Sequence, residues 1–123
     1  MGSVTIDFVA RTDDPDVWRL VFVEEGPWED IIAELQRVQD RLYDCIDAVM
    51  DGQLAARFPD TQGKTIIIRL DGYNLAESSI RDFWSAFSQG VMEIPDYAHA
   101  LKESPHVKNF LFELNLDVIE SGA

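Results

Sequence analysis

Four aspartates recur at intervals of 4, 3 and 4 residues within one long predicted helix. They are Asp40, Asp44, Asp47 and Asp51, and we call them the acidic ridge. At about 100° per residue, this spacing places all four carboxylates on one helix face. Like charges at these intervals repel, and the last two also meet the negative end of the helix dipole, so local stability does not explain them. The ridge predicts a surface for a basic protein partner; the alternative is a solvated face that promotes solubility, with Arg37 and Arg41 offsetting part of the repulsion.

Carboxylates also alternate along the last predicted strand, where Glu113, Asn115 and Asp117 fall on one face. Carboxylate oxygens at this spacing can hold a divalent cation, so Glu113 and Asp117 are candidate metal ligands of a metal-dependent or small-ligand enzyme. Metal-dependent hydrolysis usually brings further carboxylates and a basic residue from other elements, and the sequence does not place any beside these two. An ordinary solvated sheet face is the other interpretation.

The remaining reactive side chains form no recognisable catalytic motif. Cys45 falls in the apolar stripe of the long helix, which predicts a buried and unreactive thiol. His99 and His106 are separated by a Ser-Pro break, so they share neither a helix face nor a strand. No nucleophile-elbow motif is present. The sequence therefore favours a non-enzymatic protein and predicts no cofactor.

The composition narrows the class of partner. The chain has 123 residues, 46% of them hydrophobic, and its 10 Lys and Arg against 23 Asp and Glu give a formal charge of −13 at pH 7. Length and apolar content predict one domain over residues 1–123. The negative charge disfavours nucleic acid, and no apolar run is long enough for a membrane span. With one cysteine and no leader-like N-terminus, a cytoplasmic protein is expected. The sequence leaves a homodimer open.

The first half of the chain is predicted to form two strands and a long helix, and this helix carries the acidic ridge. Alternation predicts a first strand over 4–10 and a second over 17–24, joined into an antiparallel hairpin by the acidic Pro-containing turn at 13–16. Gly26 and Pro27 end the second strand. A helix of about 22 residues then opens with Trp28-Glu29-Asp30 and ends at Gly52, since apolar residues recur at intervals of 4 and 3 along it.

The second half of the chain predicts a strand, a helix, a short helix and a strand. Three consecutive isoleucines within 65–70 indicate an interior strand that ends at Asp71 and Gly72. A helix is predicted over 78–89, with Ser79 and Asp82 at capping-box spacing, followed by a short helix over 96–102 and a strand over 110–118. The order β-β-α-β-α-(α)-β predicts a two-layer α+β fold, with a mixed four-stranded sheet and helices mainly on one face.

The first two thirds of the chain contain several short motifs. They are Ile6-Asp7-Phe8, Trp28-Glu29-Asp30, Leu35-Gln36, Asp51-Gly52-Gln53-Leu54 and Phe58-Pro59. Together, over about residues 6–70, they resemble a family of short bacterial proteins classed as a domain of unknown function. The resemblance implies a bacterial source, and it brings no established activity and no catalytic residue.

Two serines, Ser78 and Ser79, stand at the start of a predicted helix that follows a strand. Their place, and the β-β-α-β-α order, resemble the anti-sigma-factor antagonist domains. The resemblance implies a partner-switching regulator in which a serine at this position is phosphorylated, so both are candidate phosphorylation sites. The chain has Glu77-Ser78-Ser79-Ile80 in place of the Asp-Ser-Ser-Gly type of signature, and its first helix is longer.

The sequence best supports a non-enzymatic protein-interaction module that binds a basic partner through the acidic ridge. Small acidic bacterial proteins also include toxin-neutralising immunity proteins, which cover basic active sites with carboxylates. An immunity protein, a partner-switching regulator and a metal-dependent or small-ligand enzyme are therefore the alternatives.

Overall fold

A computed structural model describes residues 6–116 of the chain. This part contains four strands and four α-helices. Their bounds are Phe8–Arg11 (β1), Val17–Glu25 (β2), Ile31–Met50 (α1), Gln53–Arg57 (α2), Lys64–Tyr73 (β3), Glu77–Gly90 (α3), Pro95–Glu103 (α4) and Val107–Leu116 (β4). Short 3-10 turns at Pro59–Thr61 and Val91–Glu93 precede β3 and α4.

The strands form one mixed sheet in the order β1-β2-β3-β4. β1 and β2 make an antiparallel hairpin, whereas β2, β3 and β4 run parallel. Both crossovers step in the same direction across the sheet, so right-handed connections place α1 and α3 on the same face. The predicted α+β fold, with its mixed four-stranded sheet and its element order, is confirmed.

The hydrophobic core lies between that face of the sheet and the helices. Every second strand residue contributes to it, as Leu20 and Phe22 of β2 and Ile66 and Ile68 of β3 show. Cys45 of α1 is fully buried in the same core, and burial raises the pKa of its thiol to about 12. Strand residues of the opposite parity point to the other face, which the helices leave uncovered.

The long helix α1 has an acidic residue as its N-cap. Asp30 is the N-cap of α1, and its Oδ1 accepts a hydrogen bond from the Ala33 N–H at 3.1 Å. This bond satisfies one of the amides that a helix start leaves unpaired. The observed start at Ile31 and end at Met50 follow the apolar periodicity that predicts this helix.

Several boundaries differ from the prediction. β1 begins only at Phe8, α1 begins at Ile31 and not at Trp28, and α2 is an additional short helix.

Further differences lie in the second half of the chain. β3 continues through Gly72 to Tyr73, and the side-chain tips of Leu75 and Leu116 pack closely against Gly72, where they would have to shift to admit a β-carbon. This glycine marks a close approach inside a strand. α3 begins at Glu77 without a side-chain cap, so the capping role expected of Ser79 is wrong. β4 begins at 107, before the predicted 110, and the predicted strand residues 4, 5, 117 and 118 lie outside the described part.

No helix within residues 6–116 combines the length and the apolar character that crossing a membrane requires.

Candidate protein-binding surface

The acidic ridge runs along the open side of α1. All four of its aspartates are exposed. Asp51 is also the C-cap of α1, and its carboxylate accepts a hydrogen bond from the Gln53 N–H at 3.1 Å. Within residues 6–116, no salt bridge joins a basic side chain to a ridge aspartate. The helical spacing thus brings the four carboxylates together on one solvent-facing surface.

The arginines of α1 form salt bridges away from the ridge. Arg37 and Arg41 both bind the Glu24 carboxylate, with Nη1 to Oε2 distances of 3.1 and 2.9 Å. Arg41 also binds Asp7 at 3.0 Å, and Arg37 binds Glu34 at 2.8 Å. The hydrogen bond from Arg37 to Glu24 raises the pKa of that guanidinium against the effect of burial. The salt bridges described for the two arginines are therefore made with Glu24, Glu34 and Asp7, although the sequence predicts that the arginines offset the repulsion within the acidic ridge.

Glu24 is a residue that the sequence interpretation missed, although a signal was present. It has the same parity along β2 as Leu20 and Phe22, so it faces the core, and only 5% of it is exposed. A buried carboxylate requires partners. Arg37 and Arg41, one turn apart on the following helix, are cations of the right spacing to supply them.

An apolar groove lies beside the ridge, between α1 and α3. It has a volume of about 290 Å³, and its aromatic and aliphatic lining includes Tyr43, Phe83, Phe87, Val91 and Ile94. The rings of Tyr43 and Phe87 meet edge to face with centroids 5.3 Å apart. At about 100° per residue, Tyr43 lies on one side of the ridge, and Arg37 and Arg41 lie on the other. The ridge therefore forms an acidic rim along the groove.

Asp47 connects the ridge to α4 through a hydrogen bond with Tyr97, whose ring lies 5.4 Å from that of Tyr43 between centroids. Partial burial raises the pKa of Asp47, and the charges of Asp44 and Asp51 raise it further, whereas the bond to Tyr97 lowers it. Burial and the Asp47 charge raise the pKa of Tyr97 to about 12. The ionised Asp47 therefore occupies a site that disfavours its charge.

We expect Asp47→Asn to increase the free energy of unfolding by a few tenths of a kcal/mol at pH 7, because like charges one helical turn apart cost about 0.2–0.5 kcal/mol. Asparagine still accepts the bond from Tyr97. Because the pKa of Asp47 is raised in the folded chain, ionisation of its carboxyl lowers the free energy of unfolding. This penalty is absent below the ordinary pKa of 3.8, where the carboxyl is protonated, and develops as the pH rises through the raised pKa. Urea denaturation of both proteins should show the gain at pH 7 and its disappearance in acid. A less stable variant at pH 7 contradicts this account.

The other candidate residues lie on separate parts of the molecule. Ser78 and Ser79 occupy the first turn of α3, where Ser78 is exposed and Ser79 is partly buried. Glu113 lies on the helix-free face of the sheet and accepts a hydrogen bond from Arg19 Nε at 2.9 Å, and Asp117 lies outside the described residues. Residues 6–116 contain no group of three or more His, Cys, Asp or Glu side chains placed to hold a metal ion. Phosphorylation and metal binding stay predictions from the sequence.

Comparison of the chain with protein-family models, with curated proteins and with solved structures finds no match. The functional argument therefore rests on the geometry of the chain itself.

Proposed function

We propose that the protein is a non-enzymatic interaction module that binds a basic amphipathic segment of a partner protein in the groove between α1 and α3. The observation that carries the proposal is the adjacency of this apolar groove to the acidic ridge. Apolar side chains of the segment enter the groove, and its Lys and Arg side chains pair with the ridge.

The two parts of this surface have different roles in binding. Removing the groove lining from water, including Ile94, which is 38% exposed, favours association in proportion to the apolar area buried. The ridge carboxylates stay at the rim, where charge pairs contribute little affinity each but accelerate association and select basic partners. Repulsion within the ridge is relieved when a cation binds. This gives a binding role to charges that local helix stability does not explain.

A toxin-neutralising immunity protein is one biological form of this proposal. A toxin with a basic active site presents the cations that the ridge would pair with. The residues of the surface are the same in either case, so the ridge variant described below should weaken binding of either partner.

The experiment uses a designed peptide of about 18 residues that forms an amphipathic helix with Leu on one face and Lys along its flank, labelled for fluorescence anisotropy. We expect it to bind the whole chain and to bind more weakly as NaCl rises from 50 to 500 mM, since salt screens exposed charges. Asp44→Asn with Asp47→Asn should weaken binding about 3- to 30-fold, as expected for the loss of two partly exposed charge pairs. Ile94→Asp should weaken it by blocking the groove.

The matched control is Asp13→Asn with Glu29→Gln, which removes two exposed carboxylates outside the ridge. It changes the net charge as much as the ridge variant, and it should leave the affinity within about twofold because the removed charges are remote from the groove. If the two double variants weaken binding equally, only the net charge of the chain matters, and the acidic ridge is not the binding surface. No binding of the peptide to the wild-type chain refutes the proposal.

A further inference from the structure

The helix-free face of the sheet is a second surface with a distinct composition. Phe8 and Leu111, on the outer strands β1 and β4, are 60% and 47% exposed. Between them lie Val21 and Ile67 of the two central strands, which have the parity opposite to the core residues and are themselves only 9% and 7% exposed. Large apolar side chains on an open face are typical of a surface that meets another protein.

Four charged side chains in the middle of this face are paired with one another, and Glu25, at the end of β2, is exposed. Arg19 donates to Glu113 through Nε at 2.9 Å and through Nη2 at 3.3 Å. Arg69 donates to Asp71 at 2.6 Å and lies 3.9 Å from Glu113. Two cations and two carboxylates thus neutralise one another in the middle of the sheet, on a chain whose formal charge is −13.

We infer that this face binds a second copy of the chain and that the protein is a homodimer of two sheets packed face to face. Two copies with a strong negative charge repel, and the repulsion is least where the surfaces that meet carry balanced charge. The inference is independent of the proposed function, because the acidic ridge and its groove lie on the helix layer.

The size of the face is sufficient for a modest interface. Strands about 4.8 Å apart, with about 3.3 Å per residue, make a face of roughly 500 Å², because the sheet has four strands and the longest have ten residues. Two such faces bury roughly 1,000 Å², near the lower limit of specific interfaces. We therefore expect a dissociation constant in the micromolar range.

A two-fold axis can bring the outer strands of the two copies together. An axis that runs along the strands, between β2 and β3, places β1 of one copy opposite β4 of the other. Phe8 is level with Glu113 in the sheet register, so Phe8 of each copy lies opposite β4 of the partner about 7 Å along the strand from Leu111, and the helix layers point outwards. Both acidic ridges stay accessible in this dimer and lie far from each other.

Sedimentation velocity of the whole chain from 1 to 200 μM tests the inference. We expect a dimer that becomes tighter as NaCl rises, because salt screens the repulsion between the copies; the charge-assisted peptide binding proposed above responds to salt in the opposite direction. Leu111→Asp should weaken the dimer at least tenfold, and Phe8→Asp is a second variant on a different strand. Ile32→Asp is the matched control, because Ile32 is an equally large apolar residue, 69% exposed, on the helix layer.

Circular dichroism establishes that each variant is folded before its mass is measured. A wild-type chain that is monomeric at 200 μM overturns the inference, and so does a folded Leu111→Asp or Phe8→Asp variant that dimerises like the wild type. Loss of the dimer in Ile32→Asp assigns the interface to the helix layer and also overturns it. Peptide binding should be unchanged in Leu111→Asp, so the dimer and the proposed function can fail separately.

Discussion

Replacing Glu24 with glutamine is expected to lower the free energy of unfolding by about 2–3 kcal/mol, because it leaves two arginines without their shared carboxylate. Only 6% of the Glu24 side chain and 17% of the Arg41 side chain are exposed. The Arg41 guanidinium also lies 4.7 Å from the centroid of the Phe22 ring, inside the helix–sheet layer. Arg37 is half-exposed and can turn towards water, and Arg41 keeps its bond to Asp7, so the loss is smaller than for an isolated buried charge.

A matched control distinguishes this cluster from an ordinary surface pair. Glu34→Gln removes another carboxylate bound to Arg37, one whose side chain is 35% exposed, and should change stability by less than about 0.5 kcal/mol. A double-mutant cycle of Glu24→Gln with Arg41→Met should give a coupling free energy of about 1 kcal/mol or more. Chemical denaturation measures all of these values. Equal effects of Glu24→Gln and Glu34→Gln would mean that the buried cluster does not stabilise the fold.

The parts of the fold that depend on local patterns were predictable from the sequence. The second strand was predicted over 17–24 and is observed to end at Glu25, and the long helix is observed within its predicted range, because each has a strong period of its own. Gly72 shows where a local rule fails. Glycine usually signals a turn, but here it permits Leu75 and Leu116 to approach the strand, and the contact with Leu116 depends on a residue distant in the sequence.

The candidate site was predictable only in part, for the same reason. The acidic ridge follows from helical spacing alone, so its exposed face could be predicted from the positions of Asp40 and Asp47. The groove beside it could not, since it depends on how α3 packs against α1 and brings Phe83 and Phe87 next to Tyr43. Likewise, alternation assigns the strand residues to two faces, but only the crossover directions decide which face the helices leave open.

Replacing Gly26 with alanine is expected to lower the free energy of unfolding by about 3 kcal/mol or more. Gly26 follows β2, and its N–H donates to the Tyr73 carbonyl at 2.8 Å. A β-carbon at this position would overlap the backbone carbonyl of Asn74 and would also press on Leu75. A backbone carbonyl cannot turn away as a flexible side chain can, so either the end of β2 or the turn after β3 must move and the hydrogen bond from Gly26 is lost.

Gly90→Ala is the matched control, because the same atom is added where nothing lies within 4 Å. Gly90 ends α3 in a right-handed helical conformation, which alanine adopts readily, so this variant should be more stable by up to about 0.5–1 kcal/mol. The opposite signs at the two positions separate steric overlap from a general effect of replacing glycine. Thermal denaturation of the two variants and the wild type measures both shifts. If Gly26→Ala is as stable as the wild type, the end of β2 does not approach the turn after β3 as closely as described. The packing of these two segments at one end of the sheet would then also be incorrect.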